Sequence, residues 1–241
     1  MNGTRRNTAQ LFDSKGHMFI LALDHAQGGV VPGLEKTGQL LERLSDSALD
    51  GFILNIGMAD AMVSPGLLRK KLILRTSFGG SQLATDYAAV HTNHVSPQTA
   101  QAVGADAVLM MATIGGADYK SLQNMAAAID AYHQLSIPVI AEIIAADFAQ
   151  TTSPDVQLHG ARIAAELGAD VIKAFWTDNF SKVIECCPAP VILAGGPKDK
   201  DIVSVADQAV KAGAKGFAFG RNIFQSDRPE GLIDQLRALL G

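Results

Sequence analysis

Cysteine is almost absent from this chain of 241 residues: there are two, Cys186 and Cys187, and they are adjacent. Adjacent thiols build neither a disulfide framework nor a C-x-x-C metal or redox motif, so both read as reduced packing residues. Long apolar runs are missing as well. No stretch of 18 apolar residues occurs, and the polar start from Met1 to Lys15 lacks the apolar core of a signal peptide. A soluble, cytoplasmic protein with no membrane partner is expected. Basic blocks are short too, none longer than Arg69-Lys70-Lys71. With 20 basic against 24 acidic residues, a net charge of −4, a nucleic-acid or anionic-membrane partner is not expected. Linkers, low-complexity segments and charge runs that would mark a second domain are lacking, so residues 1–241 read as one domain.

What the chain does have is apolar residues, 48% of the total, ample for one large core. They fall into short runs between turn signals, which read as buried strands. Eight such runs lie near 18–24, 51–56, 71–75, 106–111, 138–144, 170–176, 190–194 and 215–219. A helical pattern over Leu34 to Leu49 follows the first. A short strand at Ala89-Val90-His91 precedes Ser96-Pro97, a helix start with Ser as N-cap and Pro at N1. Leu122, Met125, Ile129 and Tyr132 share one face of a later helix.

A unit also repeats. Gly104-Ala105-Asp106, Gly168-Ala169-Asp170 and Gly213-Ala214-Lys215 each close a helix and feed a strand, with glycine at the C′ position. Ile137-Pro138 and Ala189-Pro190 each open a buried strand. Eight alternating βα units favour an α/β fold of the (β/α)₈ TIM-barrel type. The alternative is a doubly wound sheet, but no G-x-G-x-x-G follows the first strand.

In a barrel, functional side chains project from the C-terminal strand ends. Strand period two puts Asp24 on the face of Ile20 and Ala22, Asn55 with Ile53, and Arg75 with Ile73. It likewise puts Glu142 with Ile140 and Ile144, and Lys173 with Val171 and Phe175. All five would converge on one mouth. Buried charges need partners, and some of the set can be structural; for Arg75 alone a rim salt bridge is the favoured reading. Lys173 lies within Asp170-Val-Ile-Lys-Ala-Phe-Trp176, where burial favours the neutral, nucleophilic amine. The bland alternative is a strand-end ammonium that reaches water or holds a phosphate.

Two glycine loops end the seventh and eighth strands, Ala194-Gly195-Gly196-Pro197-Lys198 and Phe219-Gly220-Arg221-Asn222. Barrels often bind phosphate through the backbone of these two loops, and Arg221 adds a charge-assisted bond. Gly195, Gly196, Gly220 and Arg221 are therefore candidate phosphate-binding residues, with Asn55 and Arg75 as further polar contacts. His91-x-x-His94 with His25 offers a weaker metal reading, since no cysteine or helical spacing supports it; no metal and no cofactor are expected. His25, beside Asp24, reads as a proton carrier or hydrogen-bonding partner.

Taken in order, Leu21-Ala-Leu-Asp24-His25, Gly33-Leu34-Glu35, Ile172-Lys173-Ala174-Phe175-Trp176, Leu193-Ala-Gly195-Gly196-Pro197 and Gly220-Arg221-Asn222-Ile223-Phe224-Gln225 resemble one family. It is the class I aldolases of the archaeal fructose-bisphosphate aldolase type, in the deoxyribose-phosphate aldolase/FbaB group, which includes the autoinducer-2 phosphate thiolase branch. The resemblance implies a metal-free barrel that binds a phosphorylated carbonyl compound through a lysine Schiff base. Lys173 falls on the lysine, Asp24 on the acid ending the first strand, and the glycine loops on the phosphate site. Ala26 stands where a glycine is usual, Ala174 for threonine, and Ile144 for a proton-transferring tyrosine, with Glu142 two residues earlier.

The expectation is a carbon–carbon lyase acting on a small phosphorylated ketose or hydroxyketone, with Lys173, Asp24, Glu142 and His25 as catalytic candidates. Acetyl transfer of the thiolase kind to coenzyme A, and a non-catalytic phosphosugar-binding barrel, are the alternatives. Homo-oligomerisation is expected from the group.

Overall fold

The computed structural model describes residues 2–195 and 201–241. Eight parallel strands form a closed barrel: β1 (Met18–Ala22), β2 (Gly51–Asn55), β3 (Lys71–Arg75), β4 (Ala107–Ile114), β5 (Val139–Ala145), β6 (Val171–Ala174), β7 (Val191–Leu193) and β8 (Gly216–Phe219). They follow one another in chain order round the barrel, and β8 pairs with β1 to close it. The helices are α1 (Asn2–Gln10), α2 (Thr37–Arg43), α3 (Ile56–Ala59), α4 (Pro97–Ala102), α5 (Tyr119–Gln134), α6 (Pro154–Glu166), α7 (Phe180–Cys186), α8 (Ile202–Lys211), α9 (Arg221–Phe224) and α10 (Pro229–Ala238). This is the (β/α)₈ barrel expected, and no helix among the described residues is long and apolar enough to cross a membrane.

Period-two alternation separates two apolar layers. Met18, Ile20, Ile53, Ile73, Ile140 and Val171 fill the barrel interior. Their neighbours Phe19, Leu21, Phe52, Leu54, Leu72 and Leu74 point outward and bury the helices' apolar faces. The same parity carries the polar residues at the strand ends toward the mouth. Closure between β1 and β8 is tight: a Cβ on Gly216, whose φ is +133°, would lie 1.8 Å from the Met18 carbonyl oxygen. Only glycine fits there. Gly104, Gly168 and Gly213 take the left-handed backbone expected where a helix turns into a strand.

Two local readings need correction. The helix expected over 34–49 is confined to α2, because the Ser47 hydroxyl donates to the Leu44 carbonyl (2.6 Å) and ends the helix in a Ser-Asp-Ser turn. The strand expected at 89–91 lies later, where Thr92–Asn93 pairs with Ser77–Phe78 in an antiparallel ribbon. Ala89 N–H closes a turn onto Asp86, and the His91 N–H goes to the Ser121 hydroxyl (2.6 Å), so neither is free for a ladder. Ser96 does cap α4, accepting from the Thr99 N–H.

Candidate active site

Four charged side chains from four different strands or their ends meet at the barrel mouth, each nearly closed to solvent. Lys173 on β6 and Glu142 on β5 are registered partners, and Lys173 Nζ lies 2.8 Å from Glu142 Oε1. Glu142 Oε2 is 3.9 Å from the Arg75 guanidinium, which ends β3. Arg75 in turn bonds Asp24 Oδ2 at 2.7 Å and donates Nε–H to the Ser77 carbonyl at 2.9 Å. His25 Nδ1 stands 3.8 Å from the other Asp24 oxygen. The result is a chain, Lys173–Glu142–Arg75–Asp24–His25, whose first four members alternate in charge. Exposures of 3–5% for its first four members put it where charges interact strongly and must be matched.

Arg75 is therefore a buried ion-pair partner, and the rim salt bridge favoured for it in isolation is corrected. Lys173 is buried as expected, yet its amine faces a carboxylate instead of an apolar wall. Asp24 begins a short 3₁₀ turn, Asp24–Gly28, after β1 has ended at Ala22. Burial raises its affinity for a proton, but the charges of Arg75, Lys173 and His25 outweigh that and hold Asp24 below its ordinary value. His25 is likewise held below its ordinary value, first by burial and against the pull of Asp24.

The amine stands between two chambers. Lys173, Glu142, His25, Met111, Phe148, Arg221 and Gln225 line both. The smaller, about 310 Å³, is completed by Ala194, Gly195, Gly220 and Asn222 from the ends of β7 and β8. Gly195 and Asn222 nearly touch, since a Cβ on Gly195 would lie 3.2 Å from the Asn222 side-chain oxygen. His25 lies against Gly220, where an added Cβ would come within 2.2 Å of the imidazole Cε1. The larger chamber, about 430 Å³, is bounded by Asp24, Arg75, Gln27, Gln82, Tyr87, His91 and Ile144 among others.

Of the residues singled out in the sequence, Lys173, Asp24, Glu142, His25 and Arg75 are thus brought together, with Gly195, Gly220 and Arg221 beside them. Asn55 stands behind the site: its side-chain N–H donates to the Asp24 backbone carbonyl (2.9 Å), and it lines neither chamber. Arg75 lines the larger chamber and not the glycine-walled one. Gly196 lies outside the described residues. Among the described residues no three His, Cys, Asp or Glu side chains cluster as metal ligands would. Gln27, Gln82 and Tyr87 carried no local signal, and Gln225 stood only as the end of the Gly220–Gln225 motif, with no role assigned to it.

Residues 29–226 match the model of the DeoC/LacD family of aldolases. The chain belongs to that family. This DeoC/LacD aldolase is 29% identical to 2-amino-3,7-dideoxy-D-threo-hept-6-ulosonate synthase 1 of Archaeoglobus fulgidus, over 100% of this chain and 92% of that one. It is 30% identical to 3-hydroxy-5-phosphonooxypentane-2,4-dione thiolase of Yersinia pestis, over 99% of this chain and 82% of that one. Its fold superposes with a TM-score of 0.86, at 25% identity and 98% and 99% coverage, on an archaeal fructose-1,6-bisphosphate aldolase solved with its catalytic lysine bound to the carbinolamine intermediate of the substrate. This DeoC/LacD aldolase is accordingly an enzyme of the class I aldolase type.

Proposed function

We infer that Lys173 is the imine-forming lysine of a class I aldolase whose substrate is a small phosphorylated ketose or hydroxyketone. The observation that carries this reading is the Lys173–Glu142 contact, buried at the junction of the two chambers. Glu142 takes the ammonium proton as the substrate carbonyl arrives, and the freed Nζ lone pair attacks the carbonyl carbon. The carbinolamine so formed loses water to give a protonated imine. A carboxylate then removes the proton of the hydroxyl beyond the scissile bond. The C–C bond breaks, its electron pair moves into the imine, and an aldehyde leaves. Protonation of the enamine carbon and hydrolysis by water return the ketone and the amine.

Glu142 touches Lys173 directly and suits the proton carrier. Asp24, kept ionised by Arg75, suits the fixed counter-charge to the iminium. The backbone at Gly195 and Gly220 and the Arg221 guanidinium would take the phosphate, fixing the reacting carbon against Nζ. Borohydride added with dihydroxyacetone phosphate should leave a stable mass increment on the peptide containing Lys173, and Lys173→Met should abolish both adduct and turnover. An unlabelled wild-type protein, or a Met variant with full turnover, overturns the assignment.

Acetyl transfer from a phosphorylated diketone to coenzyme A is the second reading. Ile144, where the aldolases carry a tyrosine, and the similarity to the Yersinia thiolase favour it. Turnover that requires added coenzyme A would decide for it.

A further inference from the structure

The amine, its carboxylate and the glycine turns account for the smaller chamber and leave most of the larger one unused. Tyr87 and His91 line the larger chamber and not the smaller, as do Gln27 and Gln82. His91 is 4% exposed, and neither of its ring nitrogens has a hydrogen-bond partner. Leaving two buried polar atoms idle is unfavourable, and His91 is one of the residues that line this cavity. Its backbone is fixed on both sides, N–H to the Ser121 hydroxyl and C=O from it. Burial, then the charge of Arg75, lowers its pKa to about 3. Near neutral pH the ring is therefore uncharged, with one donor and one acceptor.

The charges around this chamber cancel. Lys173 and Arg75 are matched by Glu142 and Asp24. Among the described residues the other arginine or lysine of the lining is Arg221, which also borders the smaller chamber and follows Gly220. The remaining polar lining is amide, phenol and neutral imidazole. With Arg221 taken by the phosphate at Gly220, a second phosphate would meet no further unmatched cation among the described lining residues, whereas hydroxyl groups would find donors and acceptors.

We propose that the larger chamber is the subsite for the aldehyde half of the substrate, that this half is an uncharged hydroxyaldehyde, and that His91 sets its specificity by hydrogen-bonding a hydroxyl. The proposal rests on Lys173 holding the ketone half, and it makes the substrate a monophosphate.

The test is aldol addition by the whole chain, with dihydroxyacetone phosphate as donor and glyceraldehyde, propanal or glyceraldehyde 3-phosphate as acceptor. Wild-type kcat/KM should be about tenfold higher with glyceraldehyde than with propanal, the worth of one neutral hydrogen bond. It should also exceed that with glyceraldehyde 3-phosphate. His91→Leu should erase the preference over propanal while leaving the donor KM and borohydride trapping on Lys173 unchanged, and His91→Gln should restore part of it. Should the Leu variant not fold, the wild-type acceptor series and the Gln variant decide. Preference for the phosphorylated aldehyde, or equal loss with both neutral aldehydes in a His91 variant, overturns the proposal. So does a trapped donor that adds to no aldehyde. Failure to trap the donor on wild-type Lys173 overturns instead the reading on which it rests.

Discussion

Replacing Arg75 with Met removes the link between the two buried carboxylates of the site while keeping an unbranched side chain of similar length. Deleting one partner of a buried ion pair leaves its charge unmatched and typically costs about 3–5 kcal/mol. In a chain of this size that lowers Tm by roughly 6–20 °C. The pH dependence has a definite sign. In the native protein Asp24 lies below its ordinary value, so its contribution is present above the unfolded value of 3.8 and is lost as pH falls through the folded one. Without Arg75, the largest remaining influence on Asp24 is burial, which raises it. A raised carboxyl destabilises above its folded value, and that penalty fades as pH falls and the group is protonated. The stability gap between wild type and Arg75→Met, measured by urea unfolding, should therefore be widest at pH 7. It should narrow toward pH 4.5 by about 1.4 kcal/mol for each unit by which Asp24 rises above 4.5. Arg75→Met combined with Asp24→Asn should be more stable at pH 7 than Arg75→Met alone. A gap below about 1 kcal/mol, or one equal at pH 7 and 4.5, would refute the reasoning.

Gly220→Ala has a permitted φ of −119° but drives a methyl group into the His25 ring, with Ala22 O at 3.1 Å behind it. Overpacking of about 1–3 kcal/mol should lower Tm by several degrees in a thermal melt and raise KM for the phosphorylated substrate about tenfold, with the imine still trapped on Lys173. His91 adds an acid sensitivity of its own. Because its pKa is lowered from 6.5 to about 3, its contribution is complete above 6.5 and is lost as pH falls toward 3. Denaturation curves at pH 7 and pH 5 should differ by about 2 kcal/mol on this account, a component that His91→Asn removes.

Strand count, barrel class and the direction of the site side chains were legible because they depend on local pattern. Period two alone aims Arg75, Glu142 and Lys173 at the mouth, since Ile73, Ile140 and Val171 beside them belong inside. The pairing among them was not legible. Whether Lys173 would meet Glu142 or Asp24 depends on inter-strand register and on where β1 stops, and Ala22 ends that strand before Asp24. His91 falls in a stretch whose course is set by distant tethers: Gln82 N–H to the Gly28 carbonyl, the Thr113 hydroxyl to the Ala88 carbonyl, and Ser121 to His91 itself. Such contacts leave no periodic trace, so His91 could be weighed only as a metal ligand and not as part of a cavity wall. Helix α2 fell short of its apolar pattern because the Ser47 hydroxyl competed for the Leu44 carbonyl at its end.

The barrel wall is uneven in depth. β4 and β5 are laddered from Val108↔Val139 to Ile114↔Ala145, and Lys173 and Glu142 ride on that deep side. β7 and β8, which carry Gly195 and Gly220, are registered among the described residues at one pair, Leu193↔Phe217. Lys173 is thus tied to the arc of the cylinder with the longest ladder, while the turns at Gly195 and Gly220 hang from a short seam. Thermal breathing should start at that seam, with amide hydrogens of β7 exchanging faster than those of β5. A ligand spanning Gly195 and Gly220 would stitch that seam shut without disturbing the aim of the Lys173 amine.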